Sequence, residues 1–501
     1  MSYFQVDALE HDVLQVLSLV RSMKNTFAPV NRTPPDVFSL VPNYWGDSDR
    51  DEALIKLTHV CRDWREIITS RPSLWTRLDC TNVDKTRVYI ERSKSSPLEI
   101  QVDDTLYREE AFLLAVPHIG RLKTLLVSGN PTQVLPVLVE HFSCPVPLLS
   151  ELKINLVCDQ APVLPNELFN GDLSSLCKLS LAGVITPLPW RGLLNLTTFD
   201  LHHIPEDEIP LTQLLDFFES APHLRRVRLR DLIPNSSDAP IERVISLPRL
   251  KKLSIIAQPA HSVLLNHLSI PAGASLRLEF SFSGTESPIP SHLPTSLDSF
   301  HNLSYITAVA LCFGSDRRFM RLHGPSGELY VLGNWIRGSD QPHMGTGPFL
   351  WSLRQFDTSR TQWLAITLCR PRPSSTMPIE EWDLYRALHA LENLRILTLA
   401  ECRNLPFILT LNPDKNPSKI ILCLKLEEVI LYIGHPDEFN IDELLSMAKE
   451  RASRGVKLSV ITIVITDVLE PKKVVFQLRK HVSRVEYKFD DALPGWDTLP
   501  S

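Results

Sequence analysis

Apolar residues recur along the chain in two rhythms. Near the N-terminus, Val6, Leu9, Val13, Val16 or Leu17, Val20 and Met23 are three and four residues apart, the spacing that gathers side chains on one face of a helix. Asn25 and Pro29 close the stripe, so an amphipathic helix is predicted over residues 1–29. Two uses are open to it: packing on the chain's own core, which the short stripe favours, or pairing with a short coiled-coil partner. A second stripe of the same rhythm comprises Leu54, Leu57, Val60, Cys61, Trp64 and Ile67 or Ile68. It predicts one helix, ended by Ser70, Arg71 and Pro72 because proline disfavours helical geometry in the residue before it. Ser73-Leu74-Trp75 then follows as an apolar anchor.

After Ser95 the texture changes to a recurring Leu-x-x-Leu-x-Leu with conservative swaps. It appears as Leu122/Leu125/Val127, Leu149/Leu152/Ile154, Leu176/Leu179/Leu181, Leu196/Phe199/Leu201, Leu224/Val227/Leu229 and Leu250/Leu253/Ile255, at intervals of 20 to 28 residues. Further matches are Leu394/Leu397/Leu399, Leu426/Val429/Leu431 and Val482/Val485/Tyr487. That period is the one at which leucine-rich repeats each add a short strand to a curved parallel sheet. A doubly wound sheet also has apolar strands, but it usually carries phosphate-loop glycines at strand ends, and none stand here.

The segment 303–368 departs from the period. Seven of the 18 glycines lie between Gly314 and Gly347, and Gly-Ser and Gly-Pro pairs mark turns around a strand at Glu328–Leu332. It reads as an irregular repeat or an inserted loop, with a surface loop as the plainer expectation.

Alternation along the strands turns the leucines inward and the intervening residues to the concave side. That row contains Lys153, Ser180, Asp200 and His202, then Arg226, Arg228, Arg230 and Lys252, and farther on Thr398, Glu428, Ile430 and Tyr432. The basic residues Arg226, Arg228, Arg230 and Lys252 on adjacent strands form a candidate docking site for an acidic or phosphorylated protein segment, since arginine forks grip carboxylate and phosphate oxygens. The alternative is a solvated charged face offset by neighbouring acids.

Composition narrows the classes. Of 501 residues, 44% are apolar and 22% charged, ordinary for a folded protein. A net charge of −6 argues against a nucleic-acid binder. No run reaches the length of a membrane span, the greasiest being Val456 to Val468. Asp7, Glu10, His11 and Asp12 are foreign to a secretory signal. Nine cysteines, an odd number without a CxxC pair, suit a reducing compartment, so cytoplasm or nucleus is expected.

Catalytic motifs are missing: no phosphate loop, no HExxH, no GxSxG. Gly324-Pro-Ser-Gly327 reads as a turn, and His202-His203 with Glu206, Asp207 and Glu208 gives adjacent residues that rarely converge on a metal. Cys61, on an apolar stripe, reads as buried rather than nucleophilic. No enzyme activity, cofactor or metal is expected, although a polar pocket around 314–347 would reopen the question.

Val60-Cys-Arg-Asp-Trp-Arg65 followed by Ser70-Arg-Pro-Ser-Leu-Trp75 resembles the second half of an F-box. Upstream, Thr33-Pro34-Pro35-Asp36-Val37-Phe38 stands where the family has Leu-Pro-x-Glu and an apolar pair; Thr33 replaces the leucine, and Pro42 follows closely. Asn43 to Asp51 reads as the loop between the halves. With the repeats behind it, the chain resembles the F-box/leucine-rich-repeat proteins of mushroom-forming fungi. The resemblance implies an α/β architecture: an N-terminal helix (1–29), a small all-α F-box (30–95) and an irregular leucine-rich-repeat solenoid (96–501). It implies a substrate-recognition subunit of a cullin-based ubiquitin ligase, with Pro35, Val37, Phe38, Leu57, Val60, Cys61 and Trp64 supplying surface for the Skp adaptor. Part of that stripe closes the module's own core instead. The alternative is a non-catalytic repeat scaffold whose degenerate F-box recruits no cullin.

Overall fold

The computed structural model describes residues 3–45, 49–157, 161–164, 168–171, 173–185, 193–203, 209–231, 243–257, 262–282, 293, 297–313, 317–335, 353–368, 381–400, 408, 410–416, 418–433, 441–465 and 476–489. The protein is α/β with a large, mostly parallel sheet. It divides into two compact units, Met1–Cys158 with Leu164–Leu176, and Asp159–Val163 with Cys177–Ser501.

The first unit begins with helix α1 (Tyr3–Thr26) and continues through α2 (Pro35–Phe38), α3 (Arg50–Thr58), α4 (Arg62–Thr69) and α5 (Val83–Ser93). It holds strands β1 (Arg77–Leu78), β2 (Leu98–Asp103), β3 (Leu122–Gly129) and β4 (Glu151–Leu156), paired in parallel in that order. Residues 77 and 78 therefore already lie in the sheet, directly behind the helical module.

Three features of this unit differ from the sequence reading. The stripe from Leu54 to Ile68 is not one helix: α3 ends at Thr58, and α4 restarts from an extended Cys61 (φ −155°). The break is held by Arg65, whose Nε donates to the Thr58 carbonyl at 2.8 Å and so caps α3 from the side. Cys61 is half-buried at the N-cap rather than enclosed on a helix face. The stripe of α1 does not pack on the chain either, because Val6, Leu9, Val13, Val16, Leu17, Val20 and Met23 stay between 41% and 62% exposed. A 24-residue helix is long enough to hold itself by its own ladder without covering that face.

Lys85 secures the joint between α3 and α5. Asn82 caps α5 by accepting from the Lys85 amide, and the Lys85 ammonium donates to Asp51 at 2.6 Å and Asp79 at 2.5 Å. Burial raises the pKa of Asp79, but hydrogen bonds from Lys85 and Thr81 and the Lys85 charge outweigh it and hold the carboxyl below its usual value. Burial lowers that of Lys85, and Asp51 with Asp79 outweigh it, leaving it raised. A depressed acid contributes stability above its unfolded pKa and loses it as pH falls through the folded value. A raised lysine contributes below its unfolded pKa and loses it as pH rises through the folded value. The cluster thus stabilises the fold from about pH 5 to 10 and weakens at both ends. Lys85→Met is expected to cost about 1–3 kcal/mol at pH 7 by stranding half-buried carboxylates. In urea unfolding the gap to wild type should close below pH 3.8, the ordinary Asp value; a pH-independent gap would refute the electrostatic account.

The second unit contains β5 (Lys178–Ala182), β6 (Thr198–His202), β7 (Arg226–Arg230), β8 (Ile245–Ser246), β9 (Lys252–Ala257), β10 (Leu268–Ser269), β11 (Ser275–Phe282), β12 (Ala308–Phe313), β13 (Arg317–His323), β14 (Glu328–Trp335), β15 (Trp363–Leu368), β16 (Ile396–Ala400), β17 (Glu428–Ile433), β18 (Val460–Ile465) and β19 (Arg484–Phe489). β8 and β10 pair separately. The others form one sheet in the order β5-β6-β7-β9-β11-β14-β13-β12-β15-β16-β17-β18-β19.

Every hexapeptide of the sequence pattern supplies a strand of these sheets. Its first leucine stands two residues ahead of the strand (Leu122, which opens β3, is the exception), and in most repeats its amide donates to the carbonyl three residues back, as in Leu176 to Leu173, Leu224 to Ala221 and Leu394 to Leu391. That turn swings the chain into the sheet. The next two apolar positions stack in register across neighbours: Leu179, Phe199, Val227 and Leu253 form one row, Leu181, Leu201, Leu229 and Ile255 the next. All eight are buried, at roughly 1.5–3 kcal/mol per large side chain.

The irregular segment is not a surface loop. β12 and β13 are antiparallel, as are β13 and β14, and the three enter the sheet in reverse order. β14 returns to lie parallel to β11, and β15 resumes parallel to β12. Val309, Leu311, Met320, Leu322, Leu329 and Val331 fill the core at 0% exposure, so the same burial is achieved with a different connection. Residues 314–316 and 336–352, with the remaining glycines of that stretch, lie outside the described residues.

Candidate functional site

The helical module divides the residues singled out in it. Phe38 is buried and meets the half-buried Trp64 with ring centroids 4.6 Å apart, and the Trp64 indole donates to Asn31. This pair joins a core that also holds Leu54 and Ile68 at 0% exposure. Arg71 pairs with Asp36, tying the chain beyond α4 to α2. Leu57 and Cys61 are half-buried and Pro35 is exposed. Val37 at 53% and Val60 at 57% are the most open of the apolar positions singled out. Leu40, which follows the Thr33–Phe38 run, and Trp45, at 52% and 37%, add exposed apolar surface between α2 and α3.

The basic strands occupy one face of the second unit's sheet. Arg226 lies between Thr198 and Lys252 in register, Arg228 between Asp200 and Ser254, and Arg230 between His202 and Ile256. Arg226 and Lys252 are exposed, whereas Arg230 is half-buried. Arg228 is offset by Asp200 at 3.4 Å. Farther along, Arg277 meets Glu279 at 3.2 Å, and Arg321 meets Glu328 at 2.8 Å. The cluster is thus partly neutralised by acids of its own sheet. The row also changes character: Thr398 is buried, and Glu428, Ile430 and Tyr432 are half-buried, so it is not one open strip.

A cleft of about 760 Å³ opens where the chain runs into β15, β16, β17 and β18. Four successive connections line it with Ser359, Arg360 and Gln362, then Asn393 and Arg395, then Leu424 to Glu427, and finally Gly455 to Lys457. Arg360, Asn393, Lys425 and Lys457 each stand three residues ahead of their strand, so parallel pairing sets them side by side. Arg395 grips Glu427, the lining carboxylate, at 2.7 and 2.9 Å. Arg360 lies over the Tyr305 ring at 4.3 Å, and Lys425 donates to Asn393 at 2.5 Å. The sequence reading missed this cleft because its residues are spread over a hundred positions. The signal for finding it was a cation or amide recurring at one fixed offset from the hexapeptide.

Nucleophiles and metal ligands are sparse among the described residues. Burial pushes the thiols of Cys80 and Cys423 up to about 12, so both stay protonated at neutral pH. His203 pairs with Asp231 at 3.1 Å, while 204–208 lie outside the described residues. Among the described residues no group of three His, Cys, Asp or Glu is placed to hold a metal ion, and no helix is long and apolar enough to cross a membrane. No family model matches the chain, and no curated protein matches it.

Proposed function

We propose that the protein is a substrate-recognition subunit of a cullin-based ubiquitin ligase, working in the cytoplasm or nucleus. In this reading the residues from Pro35 to Trp75 form a divergent F-box that docks on the Skp adaptor, and the strands behind it form a leucine-rich-repeat solenoid that holds a target protein. One observation carries the proposal: Phe38, Leu54 and Ile68 are buried in the module's small core and Trp64 packs on Phe38, while Val37 and Val60 stay open and Pro35 is exposed. A helical module with no further role would gain by covering those side chains, since exposed apolar groups contribute nothing to its stability. The chain itself breaks no bond. It raises the target's effective concentration beside the enzyme that transfers ubiquitin.

The test is co-expression with the Skp adaptor and cullin, followed by pulldown of native chain and of Val37→Asp/Val60→Asp. Both positions are more than half exposed, so the variant should fold normally and lose capture by at least tenfold. Equal capture of variant and native chain would remove the assigned surface. Failure of the native chain to be captured would favour a repeat scaffold that binds targets and recruits no cullin.

A further inference from the structure

We infer that the cleft at the starts of β15 to β18 is a binding site for an extended acidic peptide segment carrying an apolar side chain. The inference is independent of adaptor docking, since a repeat scaffold would use the same cleft.

The argument begins with charge. Arg360, Arg395, Lys425 and Lys457 line one cleft, where among the described residues Glu427 supplies the one carboxylate. The Arg395 guanidinium donates to both oxygens of that carboxylate. Arg360, Lys425 and Lys457 are all exposed, and among the described residues the cleft's carboxylate, Glu427, is taken by Arg395. Asp357, three residues before Arg360, has its carboxyl held low first by hydrogen bonds from Ser359 and only lastly by the Arg360 charge. Cations repeated on successive parallel strands repel one another, and anionic groups arriving together relieve all of that repulsion at once.

Spacing then selects the shape of the ligand. Neighbouring strands are ~4.8 Å apart, so β15 and β18 are separated by ~14 Å. In an extended peptide, side chains at i, i+2 and i+4 share one face and span ~13 Å. The outer two of three carboxylates at alternate positions therefore match Arg360 and Lys457, and Lys425, ~10 Å from Arg360 by the strand spacing, reaches the middle one through its flexible four-carbon stem. The exposed side-chain amide of Gln362 offers hydrogen bonds between these charges. Leu424, 62% exposed within the cleft, supplies apolar surface that a purely ionic site would not need. The cleft lies at the starts of β15 to β18 and is lined by none of Arg226, Arg228 and Lys252.

The experiment is fluorescence anisotropy on the full chain at about 50 mM salt, where surface charges are weakly screened. The probe is the labelled peptide Glu-Ser-Glu-Ser-Glu-Ser-Leu, compared with the same peptide in which glutamine replaces each glutamate. Saturable binding of the acidic probe is expected, at least tenfold tighter than that of the glutamine peptide. Arg360→Glu/Lys425→Glu/Lys457→Glu should weaken it at least tenfold with the unfolding transition unchanged. Should that triple variant fail to fold, Lys457→Gln and Leu424→Ser, each at an exposed position, should weaken it about threefold. Unchanged affinity in the folded variants would overturn the assignment. So would a loss that follows Arg226→Glu/Arg228→Glu/Lys252→Glu instead, or no saturable binding by the native chain.

Discussion

Replacing Arg451 with alanine is expected to destabilise the second unit by about 3–5 kcal/mol, more than a typical surface change by an order of magnitude. Arg451 sits in the last turn of the helix Ile441–Ser453, at 0% exposure. Its guanidinium donates to the carbonyls of Leu422 at 2.8 Å and Cys423 at 3.0 Å. Those carbonyls belong to the connection into β17, where Lys419 and Cys423 both hold positive φ (53° and 49°), a conformation costly for residues other than glycine. Alanine would strand two buried carbonyls, at roughly 1–3 kcal/mol each, and leave a cavity. Burial lowers the pKa of the guanidinium, but the carbonyls need its donors, so an apolar replacement does not recover the loss. Arg451→Met, which refills the space, should still cost about 2–4 kcal/mol. Hydrogen exchange over 418–433 is the sharper readout, because protection there should fall in both variants. A methionine variant as stable as wild type would show that the arginine fills space and nothing more.

Trp75→Ala should cost a similar 3–5 kcal/mol, this time in the first unit. The indole is 1% exposed, stands edge-on to Tyr89 at 5.0 Å and lies under the Arg92 guanidinium at 4.4 Å. Its Nε1 donates to the Ile68 carbonyl at 3.0 Å, in the last turn of α4. One side chain thus joins α4, the turn Pro72–Trp75 and α5. Trp75→Phe keeps most of the apolar contact and loses that hydrogen bond, so it should cost about 1–2 kcal/mol. Circular dichroism in urea avoids the fluorescence change that removal of tryptophan brings. Exchange protection lost over 62–93 but kept over β3 would localise the effect; an alanine variant unfolding with the wild type would contradict it.

The hexapeptides were legible because their signal is local and repeats: a turn closed on the first leucine, then two inward positions two residues apart. Leu458, Ile461 and Ile463 carry the same pattern into β18, yet that stretch was weighed only as a greasy run. β12 to β14 also alternate, at Val309 and Leu311 or Met320 and Leu322, but they lack the leading leucine, and their antiparallel pairing joins residues that no period relates. The candidate surfaces followed the same division. Arg226, Arg228 and Lys252 were visible as alternating charges on a strand. The cleft was not, because a cation is ordinary on any one turn and significant only when parallel strands line up three of them with an amide.

The chain's own pattern determined the helix of residues 3–26, the strands that carry the hexapeptide and which of their side chains face the core, because alternation along a paired strand converts directly into burial. Tertiary structure alone decided where that pattern is interrupted and what is left at the surface. Arg65 reaches back to the Thr58 carbonyl and splits one apolar stripe into two helices. Phe38 chooses Trp64 as its partner and leaves Val37 and Val60 outside. Asp200 takes up Arg228, while Arg360, Lys425 and Lys457 keep their charge in the cleft. Each of these outcomes depends on groups brought together from distant positions, and the energy of such a meeting lies in the geometry that the whole fold provides.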